Sequence, residues 1–329
     1  MHLQELLQRA IQAHVSDLHL REGDPPLGRV HGVLNAINDA SITEGQFALL
    51  LHSLLSEEQR DTLAQGHDVD AACSVGGERW RVHGYSQRRG RALSLRRIPS
   101  APPALESLGL PQTVASWTSL RSGLVLITGP TGSGKSTTAA SMVNLINSRD
   151  AKHIVTIENP IEFVHEMRRS LVSQREVGTH VDTFATALRS ALREDPDIIF
   201  VGEMRDLETI TLALQAAETG HLVISTLHTS SAAKTISRIV DVFPAEQQAH
   251  IRTVLADILE GVVAQELVAN RHGGRSLVVE VLQATSAVRA LIREGKMHHI
   301  EHVIQTGASF GMRSRQGSIR LLQEVGLLG

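Results

Sequence analysis

The stretch GLVLITGPTGSGKSTTAASMVNLI, Gly123 to Ile146, constrains this chain more than any other. An apolar run leads into a loop of Gly129, Pro130, Thr131, Gly132, Ser133 and Gly134, and Lys135, Ser136 and Thr137 then open a helical pattern. Residues this small let successive backbone N–H groups turn inward around an anion, and the helix that follows points its positive end at the same place. A lysine at the loop's exit reaches the β and γ oxygens of a nucleoside triphosphate, and the hydroxyl of Ser136 suits Mg²⁺. The competing reading is a glycine-rich turn that binds nothing. It does not explain why the loop lies between a strand and a helix, so a triphosphate site in an α/β sheet is expected.

The same alternation continues towards the C-terminus. Short apolar runs, GLVLIT, HIVTIE, DIIFVG, HLVIST and SLVVEV, are separated by helical stretches. This predicts a mainly parallel sheet with crossover helices over residues 112–329. Beyond about Val262 the chain reads as mostly helical apart from SLVVEV. Residues 1–98 combine an amphipathic helix, with Leu3, Leu6, Leu7, Ala10, Ile11 and Val15 on one face, and the alternating segments GRVHGVLNAI and RWRVHGYSQ. A small α+β domain is expected there. Between the two, Pro99, Pro102, Pro103 and Pro111 break both helix and strand, which places a linker at 99–111. A length of 329 residues is consistent with two domains.

Composition removes several function classes. A net charge of −3 and a pI near 6.6 give no global reason to bind nucleic acid or an anionic membrane. Cys73 stands alone, which excludes an intramolecular disulfide framework and a four-cysteine zinc module. No apolar run approaches the roughly 18 residues of a membrane span, and the N-terminus reads as a packed helix instead of a signal peptide. A cytoplasmic protein is expected, with any work at a membrane passing through a partner.

Further candidates surround the loop motif. In DPDIIFVGEMRD, Glu203 follows an apolar strand, where a carboxylate facing the cradle can polarise an attacking water. It also fits the acidic first turn of a helix. His221 and His228 stand at the start and end of the strand-like stretch HLVISTLH. Arg189 and Arg193 lie four apart, on one helical face before the DIIFVG strand. The segment Arg79 to Arg97 holds seven arginines and no acid. Such a segment suits either a nucleic-acid backbone or a triphosphate bound by a neighbouring domain. Aromatics are scarce there, so a base-stacking platform is poorly supported and nucleic acid is not expected as a partner. HHIEH, His298 to His302, reads as solvated helix surface, since no third ligand set accompanies it.

Taken in order, SDLHL, RRIPS, LITGPTGSGKSTT, TIENPIEFVH, QREVG, ALRSALREDPDIIFVGEMRDLETI, AAETGHLVISTLHTSSAAKTI, DVFPAEQQ and AVRALIREGKM resemble the type IV pilus and type II secretion ATPases, within them the retraction type. The resemblance implies a RecA-like P-loop NTPase domain preceded by a small PAS-like α+β domain, with ATP and Mg²⁺ as ligands. It places Ser136, Glu158 and Glu162 at the metal and makes Glu203 the Walker B glutamate. His221 and His228 become a box that couples nucleotide state to its neighbours, with His228 near the γ-phosphate. It brings Arg81 and Arg96 of the first domain, and Arg189 and Arg193, towards the triphosphate. A homo-hexamer is implied, working on an inner-membrane pilus platform protein from the cytoplasmic side.

The chain departs from the family pattern at Asn159, where an Asp is usual, at Val288 and Ala290, where Ile and Asn are usual, and in ending soon after LLQEVGLLG. The alternatives are a pilus assembly or secretion ATPase, a nucleic-acid translocase, and a regulatory subunit that holds ATP without turning it over.

Overall fold

The computed structural model describes residues 3–30, 32–75, 78–98 and 101–329. The chain divides into two compact units, Met1–Ser100 and Ala101–Gly329. The first begins with helix α1 (Leu3–Gln12), whose Leu6, Leu7 and Ala10 are buried. Val15 is buried too, but from the turn beyond the helix. Strands β1 (Asp17–Arg21), β2 (Leu27–Val30) and β3 (Val33–Ala36) follow, and GRVHGVLNAI is thus a hairpin whose His31 lies outside the described residues. Helices α2 (Glu44–Leu54) and α3 (Glu57–Ala64) each start on a capping box, from Thr43 with Gln46 and from Ser56 with Gln59. Strands β4 (Val69–Val75), β5 (Glu78–Gln87) and β6 (Gly90–Ile98) complete an antiparallel sheet of order β3-β2-β1-β6-β5-β4. Trp80, Val82, Leu93 and Leu95 alternate onto its buried face, and Arg81 and Arg96 lie on the other.

The second unit starts earlier than the linker reading placed it. Pro99 and Ser100 lie outside the described residues, but Leu105 is buried against the same apolar layer as Val125 and Val143. Helix α4 (Gln112–Trp117) leads to β7 (Gly123–Thr128), every residue of which is buried. Next come α5 (Lys135–Arg149), β8 (His153–Glu158), β9 (Leu171–Glu176), α6 (Phe184–Ala191), β10 (Ile198–Val201), α7 (Leu207–Glu218) and β11 (Leu222–Leu227). Helices α8 (Ala232–Asp241) and α9 (Ala245–Ile258) precede the hairpin β12 (Leu259–Ala269) and β13 (Arg275–Gln283), and α10 (Ser286–Arg293), α11 (Ile300–Thr306) and α12 (Arg315–Glu324) close the unit.

The seven-stranded sheet has the order β13-β12-β7-β11-β10-β8-β9, parallel except for the β12–β13 pair. Two apolar layers cover it. One packs α5 on the sheet and the other packs α6 to α11. Two strands escaped the sequence reading. β9 (LVSQRE) is a polar edge strand without an apolar run, and β12 carries Gln265 and Glu266 inside its run, so the chain is not helical just after Val262.

Candidate active site

Strands β7, β8, β10 and β11 run parallel and end at one edge of the sheet, where open α/β folds place their ligands. The loop Gly129–Gly134 leaves β7 at that edge and delivers Lys135 to the first turn of α5. Two glycine positions need the absence of a side chain. Gly129 has φ +151°, and a Cβ there would lie 2.2 Å from the carbonyl oxygen of Gln265. Gly134, at φ +87°, forms the left-handed turn into the helix. Lys135 Nζ donates to the carbonyls of Gly129, at 2.9 Å, and Pro130, at 3.0 Å, so the ammonium crosses the mouth of the loop. Burial lowers its pKa from the usual lysine value, and nearby Glu162 acts in the opposite direction.

Glu203 follows β10 at the same edge. Its carboxylate pairs with Arg205 and lies 3.3 Å from Nε2 of His228, the residue after β11. Burial, with Lys135 and Arg205 nearby, lowers the pKa of His228 below its ordinary value. Both effects favour the neutral imidazole in its approach to Glu203. The Gly before Glu203 has a steric cause. A Cβ at Gly202 would lie 3.1 Å from the Ile157 carbonyl oxygen and 3.3 Å from Cα of Glu158, closer than ordinary contact. The Gly202 N–H also donates to Ile157 at 2.7 Å. The close approach of β10 to β8 thus makes any side chain before Glu203 a tight fit.

Glu158 ends β8 and is only 8% exposed. It accepts from Thr156 Oγ1 at 2.7 Å and Gln174 Nε2 at 3.2 Å. Burial pushes its pKa up to about 7, against the lowering effect of those hydrogen bonds. The charge of Glu162, itself exposed in the following loop, adds to the rise. A carboxyl raised in the folded state lends stability that is fully present below its unfolded pKa, near 4.5, and is lost as pH rises through about 7. The loss amounts to about 3 kcal/mol on the general scale of 1.36 kcal/mol per pKa unit. In urea unfolding, Glu158→Gln is expected to gain stability relative to wild type as pH rises from 5 to 8. A gap independent of pH would remove this assignment.

Among the described residues no group of three or more His, Cys, Asp or Glu is arranged to hold a metal. In phosphate sites Mg²⁺ takes one or two protein oxygens and fills its shell with phosphate and water. The Ser136 hydroxyl and the carboxylates of Glu158 and Glu162 are hard oxygen donors of this kind, and a bound cation would hold Glu158 ionised.

The remaining candidates separate. Arg189 lies on α6 and pairs with Glu208 at the start of α7. Arg193 lies beyond the last residue of α6, exposed in the turn, so the two arginines do not share a helical face. His221 precedes β11 at the opposite end, where its Nδ1 contacts the Ala216 carbonyl at 2.9 Å and its own carbonyl accepts from Gly123 N–H. A six-residue strand spans about 20 Å, so His221 is a strand length from the loop. Asn159 is exposed at the end of β8.

On α10, Val288 is buried and Ala290 exposed, so the apolar substitution keeps its packing and the other changes surface alone. Arg289 donates to the carbonyls of Ala256 and Asp257 at the end of α9, a capping role inside this unit.

Within the first unit, Arg96 of β6 stands directly opposite Arg81 of β5 and, on its other side, Asp17 of β1. Like charges opposite one another destabilise an antiparallel pair. Asp17 offsets them through a 2.7 Å bond from Arg96 Nε, and Arg81 reaches Asp70 at 3.4 Å. Burial raises the Asp17 pKa, but the hydrogen bonds from Arg96 and Ser16 outweigh it and hold the carboxyl below its usual range. Arg96 stays 72% exposed despite the pairing, so its guanidinium remains open to a second anion.

Sequence reasoning missed Gln265, Gln174 and Arg205. Gln174 ties the loop after β8 to Glu158 and to the Phe163 carbonyl, from a strand with no sequence signature. Arg205 lay in the quoted GEMRD segment and could have been found by asking what balances Glu203.

Comparison with known proteins gives a consistent picture. The family described as "Type II/IV secretion system protein" matches residues 1–324. The type IV pilus retraction ATPase PilT of Pseudomonas aeruginosa is 48% identical over 331 aligned positions, which cover 100% of this chain and 96% of that protein. A twitching motility protein of Neisseria gonorrhoeae is 47% identical, covering 92% of this chain and 82% of its own length. The crystal structure of the pilus retraction motor PilT with bound ADP superimposes with a TM-score of 0.92 at 44% identity, covering 100% of this chain and 95% of that one.

Proposed function

We propose, from the premise that this chain belongs to the type II/IV secretion system protein family, that it is the ATPase motor that powers retraction of type IV pili. The observation that carries the reading is the likeness to a retraction motor over the whole chain, through both units and not the ATPase fold alone.

The loop amides and Lys135 hold the β and γ phosphates. Glu203, set at the sheet edge by the strand before it, orients the attacking water and takes its proton. His228, 3.3 Å from that carboxylate, hydrogen-bonds at the γ-phosphate end of the site. Ser136, Glu158 and Glu162 would hold Mg²⁺, whose charge offsets that of the phosphates. Arg81 and Arg96, with Arg189 and Arg193, stabilise charge on the transferring phosphoryl group, the first two from a neighbouring subunit. His221 relays strand position and takes no part in the chemistry.

Arginines acting between subunits would require a ring, and the family resemblance implies that the ring is a homo-hexamer. Cycles of ATP binding, hydrolysis and release around the ring then drive a pilus platform protein in the inner membrane from the cytoplasmic side. Among the described residues no helix is long and apolar enough to cross a membrane. In a strain lacking this chain, abundant surface pili with loss of twitching are expected. Bald cells would instead assign it to pilus assembly.

A further inference from the structure

The phosphate loop is braced from outside by a strand that plays no part in the motif. Register places Ala264 of β12 beside Thr128, the last residue of β7, so Gln265 stands beside the loop at Gly129. Its backbone carbonyl lies 2.2 Å from where a Cβ on Gly129 would be. Its side-chain Nε2 donates to the Ser133 carbonyl at 2.8 Å and lies 3.3 Å from where a Cβ on Gly134 would be. One residue therefore touches both the start of the loop and its end. Gln265 is 3% exposed, and a glutamine this buried inside an apolar strand is costly unless it is used.

We propose that Gln265 is a positioning residue for nucleotide binding, which sets the direction of the Gly134 N–H by holding the carbonyl of the same peptide. The Ser133–Gly134 bond is trans, since among the described residues the single cis peptide is Asn159–Pro160. In a trans peptide the C=O and N–H point in opposite directions. Drawing the Ser133 carbonyl towards β12 turns the Gly134 N–H away from that strand, as a donor lining the cradle must be. The flexibility of the glycines would otherwise leave this peptide free to rotate, and ATP would have to order it on binding.

The inference rests on the nucleotide site proposed above. Gln265→Met keeps the length of the side chain without the donor, and Gln265→Glu keeps the shape but faces the Ser133 carbonyl with a second acceptor. The control is Val263→Ala, a truncation in the same strand and the apolar layer under α5. MgADP affinity is to be read by calorimetry, with KM and kcat for ATP and the melting temperature of each ligand-free variant.

Loss of one buried hydrogen bond predicts about a tenfold fall in MgADP affinity and a matching rise in KM for Gln265→Met. Gln265→Glu should lose more, both with kcat within about twofold, while Val263→Ala loses melting temperature without change in KM. Wild-type affinity in both Gln265 variants overturns the proposal, and so does an affinity loss no larger than that of Val263→Ala at equal loss of melting temperature. If the wild-type chain itself binds no MgADP, the nucleotide reading fails and this inference falls with it, an outcome the same titration separates from the others.

Discussion

Lys135→Ala is expected to abolish ATP hydrolysis, with turnover reduced at least about a hundredfold, the scale on which removing one preorganised charge stabiliser acts. The ammonium now donates to the Gly129 and Pro130 carbonyls, so it sits over the loop at the place where triphosphate charge would gather. Alanine leaves the loop backbone intact and removes the one cation of that loop. Turnover is read by phosphate release on purified protein, with circular dichroism to show that the fold survives. Wild-type turnover would overturn the nucleotide assignment. The same variant tests the ring. Mixed with Arg96→Ala subunits, which are also expected to be inactive alone, it should regain part of the activity, because an intact loop then faces an intact arginine from its neighbour. No recovery in confirmed mixed rings would place the arginines outside the chemistry.

Glu203→Gln is expected to bind ATP with near wild-type affinity while kcat falls about 10² to 10⁴-fold, the range that general-base catalysis contributes. Glutamine preserves shape and the contact with His228 but cannot accept a proton from water. The pairing of Glu203 with Arg205 sharpens the prediction, since Arg205 is 75% exposed and free to swing away when its partner loses charge. A variant in which binding falls as much as turnover would mark Glu203 as a structural acid. Single-turnover hydrolysis at saturating Mg²⁺ also decides against a regulatory subunit, because such a chain would show little chemistry even before substitution.

The ATPase unit was legible where its physics is local. Buried parallel strands read as largely apolar runs, and β7, β8, β10 and β11 stood out in the sequence, as did the antiparallel β13, whereas β9 is an edge strand half open to solvent and carries no such signal. β12 was missed because Gln265 interrupts its run, and that residue is polar for the sake of a loop 132 positions away in the chain. Arg189 and Arg193 share a helical spacing on paper, but α6 ends at Ala191 and Arg193 lies in the turn beyond it. The stretch 101–111 looked like a linker from its prolines, yet Leu105 finds an apolar layer to bury in.

By itself the sequence determined the phosphate loop, the alternation that builds a parallel sheet, and the family resemblance. Each of these depends on residue types at short spacing, where backbone freedom, charge and periodicity act within a few positions. The tertiary structure alone decided which of the distant residues meet. It brought Glu158, Glu203, His228 and Lys135 to one sheet edge because parallel strands share a direction, and it left His221 at the other end of the same strand. It also gave Gly202 its cause. Two strands approach so closely there that a Cβ would be crowded, and proximity of that kind exists only once the sheet has formed.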